Sequence, residues 1–363
     1  MFNIQGENRM KIGILTFPRA INYGAALQAT ALQNTLQNLS NDTAFIPYKN
    51  KKIEASSKVF DISQMLSVKY TIAHLYNLPD ALKRKKKFDR FCRKNMDFGS
   101  SDPYSYDAVI TGSDQVWNYN LTDDDWFYYL DFDKKGVKKI SYAASLGVSS
   151  IEKKHIEKIC SLINDFDYLS VRERTAEKLL SPLSDKKIEV VIDPTLLLNK
   201  KQWEKFSAKA ETEQKYIFVY TVFNSDKIWD YAEKLSKKTG LPIKTISYSR
   251  LHRRNAEYDF TAGPDDWLSY MLGAEYVVTN SFHGVAFSIN FEKNFFFDMP
   301  PAKAGVGSRI SDIIERYKLS DRNLSGESFV DTTEFPDFSV AREKLEEDRK
   351  FSFDFINSFL NNK

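Results

Sequence analysis

The sequence predicts an α/β protein of two parallel-sheet domains. Short β-rich runs alternate with amphipathic stretches, and the same rhythm returns in the second half of the chain. The chain has 363 residues, two domains' worth at roughly 100–200 residues each. Hydrophobic residues make up 42% and charged residues 28%, a composition with enough apolar bulk for two cores.

The elements follow in order. Ile12–Phe17 reads as the first strand, and Ala25–Leu39 as a helix with Leu27, Ala31 and Thr35 on one side. Ala44–Tyr48 is a short strand ended or placed at an edge by Pro47, which cannot donate to a ladder. Residues 51–78 read as a loop-rich insertion, and Asp80–Asn95 as a basic amphipathic helix. Asp107–Thr111 and Lys139–Ala144 are strands and Ile151–Phe166 a helix. Tyr168–Val171, Glu173–Leu180 and Glu189–Ile192 read strand, helix, strand. In the second half, Tyr216–Tyr220 is a strand, and Lys227–Thr239 is a helix closed by Gly240 and Pro242. Ile243–Tyr248 is a strand, Pro264–Leu272 a helix stopped at Gly273, Tyr276–Thr279 a strand, Gly284–Phe291 a helix and Asn294–Asp298 a strand. Ser339–Leu360 is a long terminal helix. A polar stretch at Asn199–Thr212 marks the boundary. The expected division is 1–198, 199–335 and a helix over 336–363 that returns to the N-terminal domain. Both main units are Rossmann-like.

Composition narrows the function. With 52 basic and 49 acidic residues, net charge is +3, which gives no reason to invoke nucleic acid. Cys92 and Cys160 belong to no CxxC or Cys/His cluster, so no disulfide framework or structural zinc is expected, and two free thiols fit a reducing cytoplasm. The four histidines are scattered, so no metal site is expected. No apolar run is long enough to span a bilayer, and Met1–Arg9 lacks the apolar core of a signal peptide.

In open α/β sheets, ligands bind beyond the carboxyl ends of strands, so the residues following each strand are the candidates. Asn22 and Gly24 follow the first strand and open a helix. Ser113 and Asp114 lie in a polar run after Val109–Ile110, and Ser145 lies among small residues after Lys139–Tyr142. Arg172 stands at a strand end, where a guanidinium could hold carboxylate or phosphate through paired hydrogen bonds. The sharpest site is Asn280-Ser281-Phe282-His283-Gly284, a polar break between an apolar strand and a helix. There the N–H groups of Gly284 and Val285 are expected to face an anion, with His283 as the chemical group. Lys303 and Arg309 follow in a loop with Gly305 and Gly307 that could close over the site. Each position also has a structural reading, as a helix cap, a tight turn or a surface ion pair.

These residues, in this order, resemble the polysaccharide pyruvyl transferase family over roughly residues 11–318. The resemblance is carried by Asn22-Tyr23-Gly24, Gly112-Ser113-Asp114, Ser141 through Gly147, Ser170-Val171-Arg172-Glu173, Asp193-Pro194-Thr195 and the His283 segment. It implies a GT-B-like fold with the active site in the interdomain cleft. It also implies transfer of pyruvate from phosphoenolpyruvate, a substrate rather than a cofactor, to two hydroxyls of a sugar. Acceptors in such families are cell-surface or capsular saccharide precursors, often carried on a polyprenyl diphosphate. Some members read Arg-Leu-His where this chain reads Ser281-Phe282-His283, so a cation must come from elsewhere, with Lys303 and Arg309 as substitutes.

On this reading His283 is the acid and Arg172 the donor anchor. Asn280, Ser281, Gly284, Lys303 and Arg309 bind on the donor side. Asn22, Gly24, Ser113, Asp114 and Ser145 lie on the acceptor side. The protein is expected in the cytoplasm. The basic run Lys83–Lys87 is read either as a solvated helix face or as a contact with anionic lipid head groups at the inner membrane surface. Two rivals stand beside this. One is a GT-B-type glycosyltransferase using a nucleotide sugar, for which Glu275 and Tyr276 lie near the right region. The other is a non-catalytic saccharide-binding protein.

Overall fold

The structure, a computed structural model, describes residues 9–39, 41–56, 68–208, 214–251, 254–301 and 307–361. The first sheet is wholly parallel. β1 (Lys11–Leu15) lies between β2 (Asp42–Phe45) and β3 (Ala108–Thr111), and β4 (Lys138–Ser141) pairs with β3. β5 (Leu169–Val171) and β6 (Ile188–Val190) form a parallel pair, and bridges Ile140–Tyr168 and Ala144–Val171 join them to β4. The spatial order is therefore β2-β1-β3-β4-β5-β6. These strands are short and apolar because both faces are covered: Ile12, Ile14, Val109, Ile110 and Ile140 have no exposed surface.

The second sheet is also parallel. Its order is β11 (Asn294–Phe297), β10 (Tyr276–Thr279), β7 (Ile217–Tyr220), β8 (Ile243–Ile246) and β9 (Glu257–Asp259). The chain is thus two Rossmann-like domains. In the first sheet the strand order reverses between β1 and β3, and in the second between β7 and β10. Crevices open at the carboxyl ends of strands at such reversals. The segments after β1, β3 and β10 are the ones that flank them.

α1 (Tyr23–Asn38) follows β1 and is buried on nearly every side, because one face covers the first sheet and another meets the second domain. Tyr23 donates its hydroxyl to the Ala262 carbonyl at 3.0 Å and stacks near Trp267. The terminal helix α12 (Ser339–Asn361) ties both units. Its Ser352 accepts from the Ile192 N–H, and its Arg349 donates to the Leu196 carbonyl and to Asn290.

The insertion expected over 51–78 is partly helical. α2 spans Lys51–Ser56, and α3 runs Val68–Asn95, starting twelve residues before the expected Asp80. Pro79, next to the expected start at Asp80, lies inside α3, although proline removes one N–H from the helix. The basic run of α3 is divided: Lys83 and Lys86 are exposed, while other members are engaged within the protein. Arg84 is buried, donates to the Ser247 and Phe260 carbonyls and lies 4.0 Å from the Tyr248 ring. Lys87 pairs with Asp266 and Arg90 with Asp265, both at 2.8 Å, while Lys85 pairs with Asp89. Much of this charge docks the helix to the second domain. Two further elements stand beyond the expected ones: β9, only three residues long, and the helix Gly307–Tyr317, whose buried Ile310, Ile313, Ile314 and Tyr317 do carry the helical spacing in the sequence.

Candidate active site

Asp193 stands at the centre of the site. It follows β6 and caps a short turn, its Oδ1 accepting from the Thr195 N–H at 2.9 Å and the Thr195 hydroxyl at 2.7 Å. Its Oδ2 accepts from Arg172 Nη1 at 2.8 Å and from Ser113 Oγ at 3.1 Å. Burial would raise this carboxyl, but His283, Arg172 and the Thr195 N–H outweigh it and hold it down at about 2. Asp193 is therefore an anion with four donors, the condition under which a fully buried carboxylate is stable.

Arg172 leaves β5 directly into this cluster. Burial works against its charge, and Asp193 and Glu173 more than restore it. Nη1 is engaged, but Nε and Nη2 are buried with no hydrogen-bond partner among the described residues. Glu173 accepts from Ser145 Oγ at 2.8 Å through Oε1, and its Oε2 lies 3.6 Å from Arg172 Nε. The expected surface ion pair is thus a buried one.

His283 reaches the cluster from the other domain. Its Nε2 lies 3.8 Å from Asp193 Oδ2, too far for a hydrogen bond, and has no other partner among the described residues. Burial lowers the imidazole pKa. Asp193 opposes that shift and Arg172 adds to it. Gly24, at the start of α1, faces the ring: a Cβ there would stand 2.0 Å from Nδ1. The two domains therefore touch at the point where their strand orders reverse.

Arg309 completes the charged wall, and here the structure corrects the sequence. Arg309 lies not in a loop but in the first turn of α11 (Gly307–Tyr317) and is buried. Its guanidinium and that of Arg172 lie 5.8 and 4.8 Å from the centre of the Phe282 ring. A cation over an aromatic face gains electrostatically and keeps its outer edge free. Burial, then repulsion from Arg172, lowers Arg309 to about 10, so it stays charged at neutral pH. Its Nε also lacks a partner among the described residues. Arg172, Glu173, Asp193, Phe282 and Arg309 line one cleft of about 750 Å³.

Other candidates resolve into scaffolding. Ser281 caps α10 (Phe282–Asn290), with Gly284 N–H directed at its hydroxyl and Val285 N–H bonded to its carbonyl at 3.0 Å. The anion cradle expected from those two groups is not formed, because the helix satisfies both itself. Asn280 accepts from Val222 N–H and donates to the Phe223 carbonyl, which fixes the turn after β7. Asn22 caps α1 by accepting from Ala25 N–H. Asp114 takes a left-handed backbone at φ 79°, its carbonyl accepting from Ser145 N–H, and its charge acts on Arg172, Arg309 and His283. A non-glycine residue held there carries strain of order 1 kcal/mol. Lys303 lies outside the described residues. Sequence reasoning passed over Asp193 and Glu173 as site residues. Asp193 follows a strand as the other candidates do, and its position beyond β6 was the available signal.

Comparison with solved structures gives matches of low identity. UDP-GlcNAc 2-epimerase from Methanocaldococcus jannaschii, in complex with UDP-GlcNAc and UDP, is 14% identical, with 95% of this chain and 100% of that one covered and a TM-score of 0.43. A putative UDP-N-acetylglucosamine 2-epimerase from Listeria monocytogenes is 9% identical, with 96% and 88% covered and a TM-score of 0.48. E. coli heptosyltransferase with ADP is 13% identical, with 82% and 90% covered and a TM-score of 0.39. No curated protein sequence matches the chain. The family model for polysaccharide pyruvyl transferase matches residues 22–297, a span that contains Gly24, Arg172, Asp193 and His283. The chain belongs to the polysaccharide pyruvyl transferase family.

Proposed function

We propose that this protein transfers the pyruvyl group of phosphoenolpyruvate to two hydroxyls of a saccharide, forming a cyclic ketal and releasing phosphate. The observation that carries the reading is the set of buried cationic donors in one cleft. Arg172 Nε and Nη2 and Arg309 Nε have no hydrogen-bond partner among the described residues, and both arginines line the same cavity. Phosphoenolpyruvate bears a carboxylate and a phosphate on one small enol, the charge distribution that two guanidinium groups complement.

Each residue has a role in this chemistry. Protonation of the donor's methylene carbon leaves cationic character at the adjacent carbon. A first sugar hydroxyl adds there, losing its proton, and phosphate then leaves with the C–O bonding pair. The second hydroxyl adds to the same carbon, loses its proton and closes the ring. His283 supplies the first proton. The free imidazole is biased towards neutrality by burial, and the incoming anions raise its pKa, so the acid form is favoured when donor is bound. Arg309 supplies the cation that Ser281 lacks. The acceptor we assign is a cell-surface or capsular polysaccharide precursor, carried on a polyprenyl diphosphate and modified in the cytoplasm.

Thermal unfolding with candidate ligands tests the donor, because a ligand that binds only the folded form raises Tm by mass action. Phosphoenolpyruvate should raise Tm in the wild type and not in Arg172→Met. Phosphate release should then require a saccharide acceptor. Stabilisation by UDP or GDP but not by phosphoenolpyruvate would replace this reading with nucleotide-sugar transfer.

A further inference from the structure

The outward face of α3 is not accounted for by the site or by domain docking. At 3.6 residues per turn, its exposed residues between 75 and 94 fall within an arc of about 120°. The opposite face carries Arg84, Phe88 and Phe91, which are buried. The exposed arc divides along its length. Leu75, Tyr76 and Leu82 are 51%, 55% and 53% exposed, and Pro79 lies among them. Lys83, Lys86, Arg93 and Lys94 follow, all exposed, and none forms an ion pair among the described residues. Arg90 stands in the same arc, held by Asp265. No acidic residue of α3 lies within the arc, and Asp265 of the second domain reaches into it at Arg90.

Large apolar side chains exposed together are costly in water unless something covers them. Four cations on the same face without an ion pair among the described residues select an anionic partner. A folded acidic protein would satisfy the charge but has no general need for a flat, projecting apolar end. A bilayer with anionic lipid meets both requirements at once: head groups for the cations and the acyl boundary for Leu75, Tyr76 and Leu82. No helix among the described residues is long and apolar enough to cross a membrane, so the contact is peripheral.

We infer that α3 docks the protein on an anionic bilayer surface through this stripe, with its apolar end inserted at the head-group boundary. The residues are not those of the basic run as a whole, because Arg84, Lys85 and Lys87 are engaged within the protein. Leu82 and Arg93 also line a groove of about 810 Å³ beside Pro47 and Tyr48, so docking sets the rim of that groove at the membrane. The inference rests on the helix face and not on the pyruvyl-transfer reading, so either can fail alone.

Flotation of the full chain with vesicles tests it, using phosphatidylcholine alone and phosphatidylcholine with phosphatidylglycerol at roughly 2:1. The wild type should float only with the mixed vesicles. Lys83→Glu/Lys86→Glu/Arg93→Glu should weaken partition by about 100-fold or more, and Leu75→Ser/Tyr76→Ser/Leu82→Ser by at least about tenfold. All six positions are on the surface, and an unchanged Tm confirms folding. If either triple variant unfolds, Lys86→Ala and Leu82→Ser are scored singly, with expected losses of about fivefold and about tenfold. Unchanged flotation of the variants, equal flotation with pure phosphatidylcholine, or binding to RNA without binding to mixed vesicles would each overturn the assignment.

Discussion

Gly24 and His283 meet across the domain boundary, and a Cβ on Gly24 would lie 2.0 Å from the histidine Nδ1. Glycine is required here for close approach. Gly24→Ala should displace the imidazole, lowering kcat/KM for phosphoenolpyruvate by about 10²-fold and destabilising the fold by about 1–3 kcal/mol through overpacking. In a His283→Ala background the clash has no partner, so Gly24→Ala should cost little there. A double-mutant cycle in Tm measures this coupling, and additive losses would refute the contact.

His283 and Asp193 make a pH prediction with a definite sign. Burial lowers the free imidazole below 6.5, so kcat/KM, which reports the free enzyme, should fall as pH rises through a value below that. Bound donor raises the imidazole pKa, so the corresponding limb of kcat should lie at higher pH. Asp193→Asn removes the carboxylate that favours the charged ring and should move the kcat/KM limb further down. His283→Ala should lower kcat by about 10²–10⁴-fold and abolish this limb. A wild-type limb that persists in His283→Ala assigns the acid elsewhere.

Asp193 also links pH to stability. Its folded pKa, about 2 against an ordinary 3.8, is a depressed one. Its contribution is therefore complete above the ordinary value and is lost as pH falls through about 2. At about 1.4 kcal/mol per pH unit, a gap of a little under two corresponds to roughly 2–3 kcal/mol. Acid titration of Tm should show a limb in the wild type that Asp193→Asn lacks. The variant should also be less stable near neutrality, because buried Arg172 loses its hydrogen-bonded counter-charge and keeps only Glu173 at 3.6 Å.

Arg309 should act on donor binding. Arg309→Met removes a charged donor from the cleft and should lower kcat/KM for phosphoenolpyruvate by about 10–100-fold. Arg309→Lys should recover only part of that, since an ammonium cannot make paired planar contacts. Steady-state kinetics and donor-dependent Tm shifts give the two readouts.

Arg84 fastens α3 to the second domain through the Ser247 and Phe260 carbonyls and the Tyr248 ring. Arg84→Ala leaves those buried carbonyls without a donor and should cost about 2–4 kcal/mol. Calorimetry should show a lowered Tm. An unchanged Tm would mean that this contact does not hold the domains together.

The alternation of strands and helices made the two domains legible, because a strand buried on both faces is a short apolar run wherever it occurs. Tyr276–Thr279 agreed residue for residue, and most other elements agreed within a few residues. Pro79 beside Asp80 reads locally as a helix start, yet α3 runs through it from Val68. Asp193 and Glu173 are not legible as site residues in the sequence, because a lone carboxylate at a strand end looks like any surface charge until its partners are known. Asn22, Asn280 and Ser281 sit where predicted, yet their polar atoms close turns and helix starts.

By itself the sequence determined the parallel-sheet architecture, the strand ends at which a site could form and the presence of His283 at one of them. Periodicity and strand-end position are local properties, readable from neighbouring residues. The tertiary structure decided which strand ends face each other. It brought Arg172 and Arg309 to the same Phe282 ring, put Asp193 beside His283 and turned the basic helix inward at Arg84. Those outcomes depend on contacts between residues far apart in the chain, where burial and charge pairing are properties of the fold.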